Sequence, residues 1–139
     1  MRRDRFAQVG LDRLLRLAWL ERTSSLVLAG NESKSIRAIL QNELVESFHS
    51  GRDGVSHSLN RTITILLRIW LKGPPELNDL RNEGLEILER VPQGDRLALH
   101  WGMVTAAYPF WGSVASHTGR LLKLQGRAAA SQVQRRLRE

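Results

Sequence analysis

Four histidines, 14 Asp and Glu, and 21 Lys and Arg carry whatever chemistry this 139-residue chain performs, and it has no cysteine. The missing thiol excludes disulfides, cysteine-ligated zinc, iron–sulfur clusters and thiol catalysis. His49 and His57 flank a polar stretch with Asp53 between them. Imidazole and carboxylate are metal-ligand types, but a metal site needs a third ligand and supporting second-layer bonds, and this spacing matches no zinc pattern. The stretch reads as a solvated loop, with no metal and no cofactor. Gly51-Arg-Asp-Gly54 repeats the GxxG of the KH loop, which clamps a nucleic-acid backbone. That fold requires a three-stranded sheet, for which the chain offers no strands, so a surface turn is the reading. His100 and His117 lie in an apolar stretch and read as buried, backbone-bonded histidines. Glu83 and Glu86 share an exposed helix face, where carboxylates are normally solvated. There is no Ser-x-x-Lys, Gly-x-Ser-x-Gly, P-loop or dinucleotide fingerprint. The residues therefore predict no active site, and the chain reads as a non-enzyme.

The cations tell more. The net charge is +7, unevenly placed: net +3 over residues 1–22, −1 over 23–116 and +5 over 117–139. A basic excess of this size favours a polyanionic partner, most simply nucleic acid. Two sets of side chains are candidates for its contact. Arg61, Arg68 and Lys72 are seven and four residues apart, so on a helix they align with Thr64 between them, a row suited to phosphates. The other reading of this row is a solvated face paired with the acidic helix that follows. The C-terminal segment runs from Gly119 through Arg120, Lys123, Gly126 and Arg127 to Gln132, Arg135, Arg136 and Arg138. A helix, a glycine turn and a short basic helix resemble part of a helix-turn-helix, which would lay these groups near phosphates or base edges. Its bland alternative is a loosely packed basic helix that aids solubility. The aromatics sit in apolar stretches, not among the cations, so stacking on single-stranded RNA is disfavoured against double-stranded DNA.

The elements that must carry these groups are helical throughout. The apolar period predicts an all-α bundle of six or seven helices in one domain over 1–139, subdivided at most into N-terminal helices 1–58 and a helical core with basic end 59–139. A first helix is predicted from near Asp4, with Leu11, Leu14, Leu15, Ala18 and Trp19 as its buried stripe, stopping at Gly30-Asn31. Asn31 or Ser33 then caps a second, buried through Ile36, Ile39, Leu40, Leu44 and Phe48. Ser58 caps a third from Leu59 to Lys72, buried through Leu59, Ile63, Leu66, Leu67 and Trp70 and ended by Gly73-Pro-Pro. A fourth, from Glu76 to Arg90, faces inward through Leu77, Leu80, Gly84, Leu88 and Val91. A fifth, from Arg96 to Ala107, is apolar on nearly every side and so is predicted to be the central, most buried helix. A sixth reaches Gln125, with Val114, His117, Leu121 and Leu124 on one face, and a last runs from Ala128 to Arg138.

Leu97 to Gly119 contains no charged residue over 23 positions, which is long enough to span a bilayer. Its histidines, hydroxyls, glycines and central Pro109 instead predict two buried helices separated near the proline. With no signal peptide in view, a cytoplasmic protein with no membrane partner is expected.

Asn60 to Leu71, Leu97 to Met103 with Ala107-Tyr-Pro-Phe110, and the Gly126 turn with its basic end resemble the small BrxA-type proteins of bacterial BREX phage-defence systems. The resemblance covers roughly the last 80 residues and rests on apolar and tryptophan placement; this chain is shorter than is typical of that family. It implies an all-helical, non-enzymatic protein that binds DNA and works with other antiviral defence components. The second expectation is a helical protein–protein adaptor using Trp101, Tyr108, Phe110 and Trp111.

Overall fold

The computed structural model describes residues 11, 13–48 and 55–139. Among the described residues there are seven α-helices and no strand: α1 Leu17–Leu28, α2 Ser33–Leu44, α3 Val55–Trp70, α4 Asn78–Leu88, α5 Arg96–Ala107, α6 Pro109–Gln125 and α7 Ala130–Arg138. They fall into two compact units. Residues 13–107 form the larger, with residues on both sides of Ser58 inside it; Leu11 and 108–139 belong to the smaller.

In the larger unit the central helix is α3, not α5. It packs against α1, α2 and α5. Leu59, Thr62, Ile63, Ile65, Leu66, Leu67, Ile69 and Trp70 are all buried, while Arg61, Thr64 and Arg68 stay exposed on one stripe. The expectation for α5 fails because Leu97 and Trp101, one turn apart, stand 57% and 52% exposed. Hydrophobicity around a helix does not count its neighbours. Thr62 hides well in α3 because its hydroxyl donates to the Ser58 carbonyl within the helix (3.0 Å), leaving only the methyl to pack.

Three helix starts differ from expectation. Leu11 and residues 13–16 are not helical, and Leu14 is 80% exposed; residues 1–10 and Asp12 lie outside the described residues. α1 buries Leu20, Thr23, Ser24 and Leu26 instead of the Leu14–Trp19 stripe, the two hydroxyls bonding to Trp19 O and Glu21 O. Gly30 ends α1 at φ +86, and Asn31 donates its amide to Leu26 O (3.0 Å). Asn31 thus closes α1 and does not cap α2, whose N-cap is Glu32 with no side-chain bond. α3 starts at Val55, so Ser58 lies inside it, and its hydroxyl accepts from Arg13 Nη1 (2.9 Å). In α2 the buried residues are Ile36, Leu40 and Leu44; Ile39 and Phe48 are half-buried, and Phe48 stacks on Trp19 with centroids 5.6 Å apart.

On α4 the inward face is centred on Arg81, Leu85 and Leu88, and Leu80 is 45% exposed. At 100° per residue Leu80 sits about 140° from Leu85, so it cannot share that face. Arg81 is buried; Nη1 donates to Asn78 Oδ1 (2.9 Å), and desolvation pushes its pKa down. A Cβ on Gly73 would stand 2.5 Å from both Arg81 Nη2 and the Arg68 carbonyl oxygen, so the turn after α3 admits no side chain there.

The deepest polar feature joins four helices. Trp70 Nε1–H on α3 donates to Nδ1 of the fully buried His100 on α5 (3.0 Å), which leaves the imidazole hydrogen on Nε2. Nε2 faces Glu21 Oε1 of α1 at 3.5 Å. Glu21 accepts two bonds from Arg96 Nε (2.8 and 2.9 Å) and pairs with its Nη2 (2.7 Å), while Arg96 Nη1 donates to the Leu88 carbonyl at the end of α4. Burial lowers the His100 pKa below its ordinary 6.5, and the Arg96 bonds lower that of Glu21 below its ordinary 4.5. Both groups bind protons less readily folded than unfolded, so both contribute stability that is full at neutral pH and lost on acidification. The histidine part falls away first, as pH drops below about 6.5, and the carboxylate part below about 4.5. Thermal melts from pH 7.5 to about 3 should therefore show Tm falling in two stages. His100→Asn keeps an acceptor for Trp70, so it should remove the upper stage and leave the lower; an unchanged upper stage would assign that loss to another group.

Candidate nucleic-acid interface

The smaller unit carries seven of the ten candidate contact residues. α6 begins with Pro109 at its first position, where a missing N–H costs nothing, and runs 17 residues. It ends at Gly126, which has φ +72, the left-handed conformation that glycine adopts without a Cβ penalty. Four residues, Gly126 to Ala129, connect it to α7. Neither α6 nor α7 contains a buried side chain, although the sequence led to the expectation that the uncharged stretch would form two buried helices. Its separation at Pro109 is as expected, and no described helix is long and apolar enough to cross a membrane.

Arg120, Lys123, Arg127, Arg135, Arg136 and Arg138 are all exposed. Arg120 and Lys123 follow at i and i+3 on one side of the α6 end, Arg127 lies in the turn after Gly126, and the other three crowd the last turns of α7. Among the described residues, Arg136 alone of the six has an acidic partner, Glu139 at 3.7 Å, both exposed; such a pair is worth little. Lys123 near the end of α6 and the arginines near the end of α7 also sit at the negative ends of the helix dipoles, which favours their placement.

Gln132 has a structural task in the turn. Its Oε1 accepts from Ala129 N–H (3.1 Å) and from Gln125 Nε2 (2.9 Å), and Gln125 Nε2 also donates to Arg127 O (3.0 Å). Ala129 has no side-chain oxygen with which to cap α7, so Gln132 supplies half of a capping box and locks the turn. Through Gln125, it helps hold the backbone at Arg127. Leu124 is 82% exposed. It lies about 80° around the helix from Val114, at the edge of the face it was expected to share with His117 and Leu121, which are half-buried.

The second candidate row belongs to the larger unit. Arg61, Thr64 and Arg68 share the exposed stripe of α3 as expected, but the helix ends at Trp70 and Lys72 lies in the closing turn, its N–H bonded to Leu67 O (2.7 Å). Nothing in the helical spacing points to Arg37, which reaches from α2 to donate to Thr64 Oγ1 (2.9 Å) and to Asn60 O (3.4 Å) and so adds a cation beside this row. Only tertiary packing could reveal it. Among the adaptor aromatics, Tyr108 is 4% exposed and unavailable to a partner; Phe110 and Trp111 are half-buried, the Trp111 ring N–H donating to Leu11 O (2.9 Å). Trp101 alone remains prominent. His57 is exposed; His49, Asp53 and the Gly51–Gly54 turn lie outside the described residues, among which no group of three or more metal-ligating side chains converges.

Compared with protein-family models, curated proteins and solved structures, the chain matches none.

The turn at Gly126 should be sensitive to a single methyl. Nothing lies within 4 Å of a Cβ built there, so Gly126→Ala meets only backbone strain, about 1 kcal/mol. Amide hydrogen exchange should then quicken about fivefold in 127–139 while the larger unit keeps its protection. Exchange that quickens equally in both units would show that the turn is not a local hinge of stability.

Proposed function

We propose that this chain is a non-enzymatic nucleic-acid-binding accessory protein that contacts double-stranded DNA through the α6–α7 pair in the manner of a helix-turn-helix. One observation carries the reading: from residue 117 to the end the chain holds six cations against one acid, and all six are exposed, five on the two helices and Arg127 in the turn between them. A helix pair with so little core of its own is poorly explained by packing and well explained by a polyanion that it meets. The contacts are to phosphate first, since arginine's planar fork suits phosphate oxygens, and sequence preference is low. The resemblance to BrxA-type proteins supports the same reading and adds a setting, phage defence in the bacterial cytoplasm with other defence proteins as partners.

A helical adaptor is the second reading, and Leu97 with Trp101 favours it: two large apolar side chains one turn apart, each more than half exposed. Salt separates the two readings. Phosphate contacts give a linear fall of log affinity with log salt concentration, with a slope of roughly 0.9 per contact on duplex DNA; an apolar adaptor contact gives none.

Replacing Arg135, Arg136 and Arg138 with alanine should weaken duplex binding and flatten the salt slope by up to about three units in a gel-shift series. Tm should hardly move, because exposed substitutions usually cost within about 0.5 kcal/mol. The matched control is alanine at Arg61, Arg68 and Lys72. Loss of binding in the control alone, with the C-terminal triple unchanged in affinity and slope, would transfer the contact to α3.

A further inference from the structure

Charge is segregated within the larger unit. Glu76, Asp79, Glu83, Glu86 and Glu89 all lie on or beside α4, which packs against α5. α2 and α3 together hold Lys34, Arg37, Arg61 and Arg68 against one acid, Glu43. Arg22 of α1 engages both Glu43 oxygens (2.7 and 2.8 Å), and Glu32 and Glu46 stand beyond the two ends of α2. Side-chain bonds fix how α2 and α3 meet. Arg37 donates to Thr64 Oγ1 and Asn60 O, and Gln41 Nε2 donates to Asn60 Oδ1 (2.6 Å). One turn forward on α2 is thus one turn back on α3, so the helices run antiparallel along this edge. Lys34, a turn before Arg37, therefore comes level with Arg68. Lys34, Arg61, Thr64 and Arg68 are exposed, and Arg37 is half-buried with its guanidinium held in place. Both sides of the seam carry cations at successive turns, with hydroxyl and amide groups between them.

We infer that this α2–α3 seam is a second face for duplex DNA, so that one chain holds two duplex segments at once. The inference rests on the reading that the α6–α7 pair holds the first. What the seam lacks identifies its occupant as much as its charge does. Among the described residues of α2 and α3 no large apolar side chain is exposed. The centre of a protein interface is built on apolar and aromatic anchors, and a helix lying on a membrane inserts an apolar face. Phosphate oxygens need neither: arginine, lysine, threonine, asparagine and glutamine side chains are their usual partners, and an arginine fork already fixed by its neighbours loses little freedom on contact. The two faces belong to separate compact units of the chain, so occupation of one does not use the cations of the other. Four cations against six make the seam the weaker contact. A gel shift at limiting protein therefore reports α6–α7, and the seam acts on what the first complex takes up next.

A duplex-capture experiment tests it. Beads carrying a biotinylated duplex, loaded with nuclease-treated protein at about 0.05 M salt and washed, should take up a second, labelled duplex. The affinity for that second duplex should fall about 150-fold on going to about 0.2 M salt, the loss that four phosphate contacts give. Lys34→Glu with Arg61→Glu changes two exposed side chains of the seam. With an unchanged Tm, this variant should load onto the first duplex within about twofold of wild type and take up less than about a tenth of the labelled duplex. Wild-type protein that loads but takes up no second duplex overturns the inference and leaves the α6–α7 reading standing. Uptake by the variant equal to that of wild type also overturns it, since the chain would then join duplexes by a route other than the seam. If the variant instead loads poorly and wild type takes up nothing, both faces grip one duplex, and the two-segment inference falls. Failure of the α6–α7 reading is seen separately: the alanine triple at Arg135, Arg136 and Arg138 would then load like wild type.

Discussion

A buried hydrogen bond between an indole and an imidazole sets the frame of the larger unit. Trp70 and His100 come from α3 and α5, and the chain of polar contacts continues through Glu21 of α1 and Arg96 to the last carbonyl of α4. Apolar burial is non-directional and would allow these helices to slide or rotate against one another. The polar chain does not, because a shifted helix would leave a buried donor, acceptor or charge without its partner, at about 1–3 kcal/mol for a neutral group and more for a charge. The network also explains why a glutamate and an arginine 75 residues apart in sequence are found together under partial cover. The Gly84 backbone and Met103 pack beside the same indole, so the tryptophan is both the largest core side chain and its polar anchor.

Much of the architecture was legible because it follows from local rules. Gly30, the Gly73-Pro-Pro run, the Pro92 turn and Gly126 all stop helices where backbone chemistry demands it. The apolar stripe of α3 was legible for the same reason: over its 16 residues, about four turns, the phase information agrees. What the period could not convey was rank. α5 is more apolar around its circumference, yet it leaves Leu97 and Trp101 more than half exposed while α3 buries most of its length, and the serine and threonine hydroxyls that bond to their own helix backbones pass as apolar at close range. The start of α1 failed similarly, since a leucine-rich segment can carry helical spacing without being a helix, as exposed Leu14 shows.

The candidate interface was legible as charge and illegible as geometry. Sequence alone places six cations near Gly126, but only the fold shows that Gln132 is occupied in holding the turn, or that Arg37 of α2 stands beside Thr64. His100 illustrates the same divide. Its burial was expected, but its partner was expected to be the backbone; the partner is a tryptophan side chain 30 residues away. Long-range side-chain pairs of this kind leave no periodic trace.

The absence of any buried side chain in α6 and α7 bears on how freely their sequence can change. Most side chains beyond Leu121 are exposed, where substitutions usually cost within about 0.5 kcal/mol, so their order is weakly constrained by folding, whereas half-buried Trp111, His117 and Leu121 are not so free. A cation can move by a turn, or lysine and arginine can exchange, with little effect on the fold. The turn is different: the left-handed backbone at Gly126 ties one position to one residue type, and the Gln125–Gln132–Ala129 bonds restrict two more. Over evolutionary time the two helices would drift as a charge distribution hung on a fixed corner, whereas Trp70, His100, Glu21 and Arg96 can change only together.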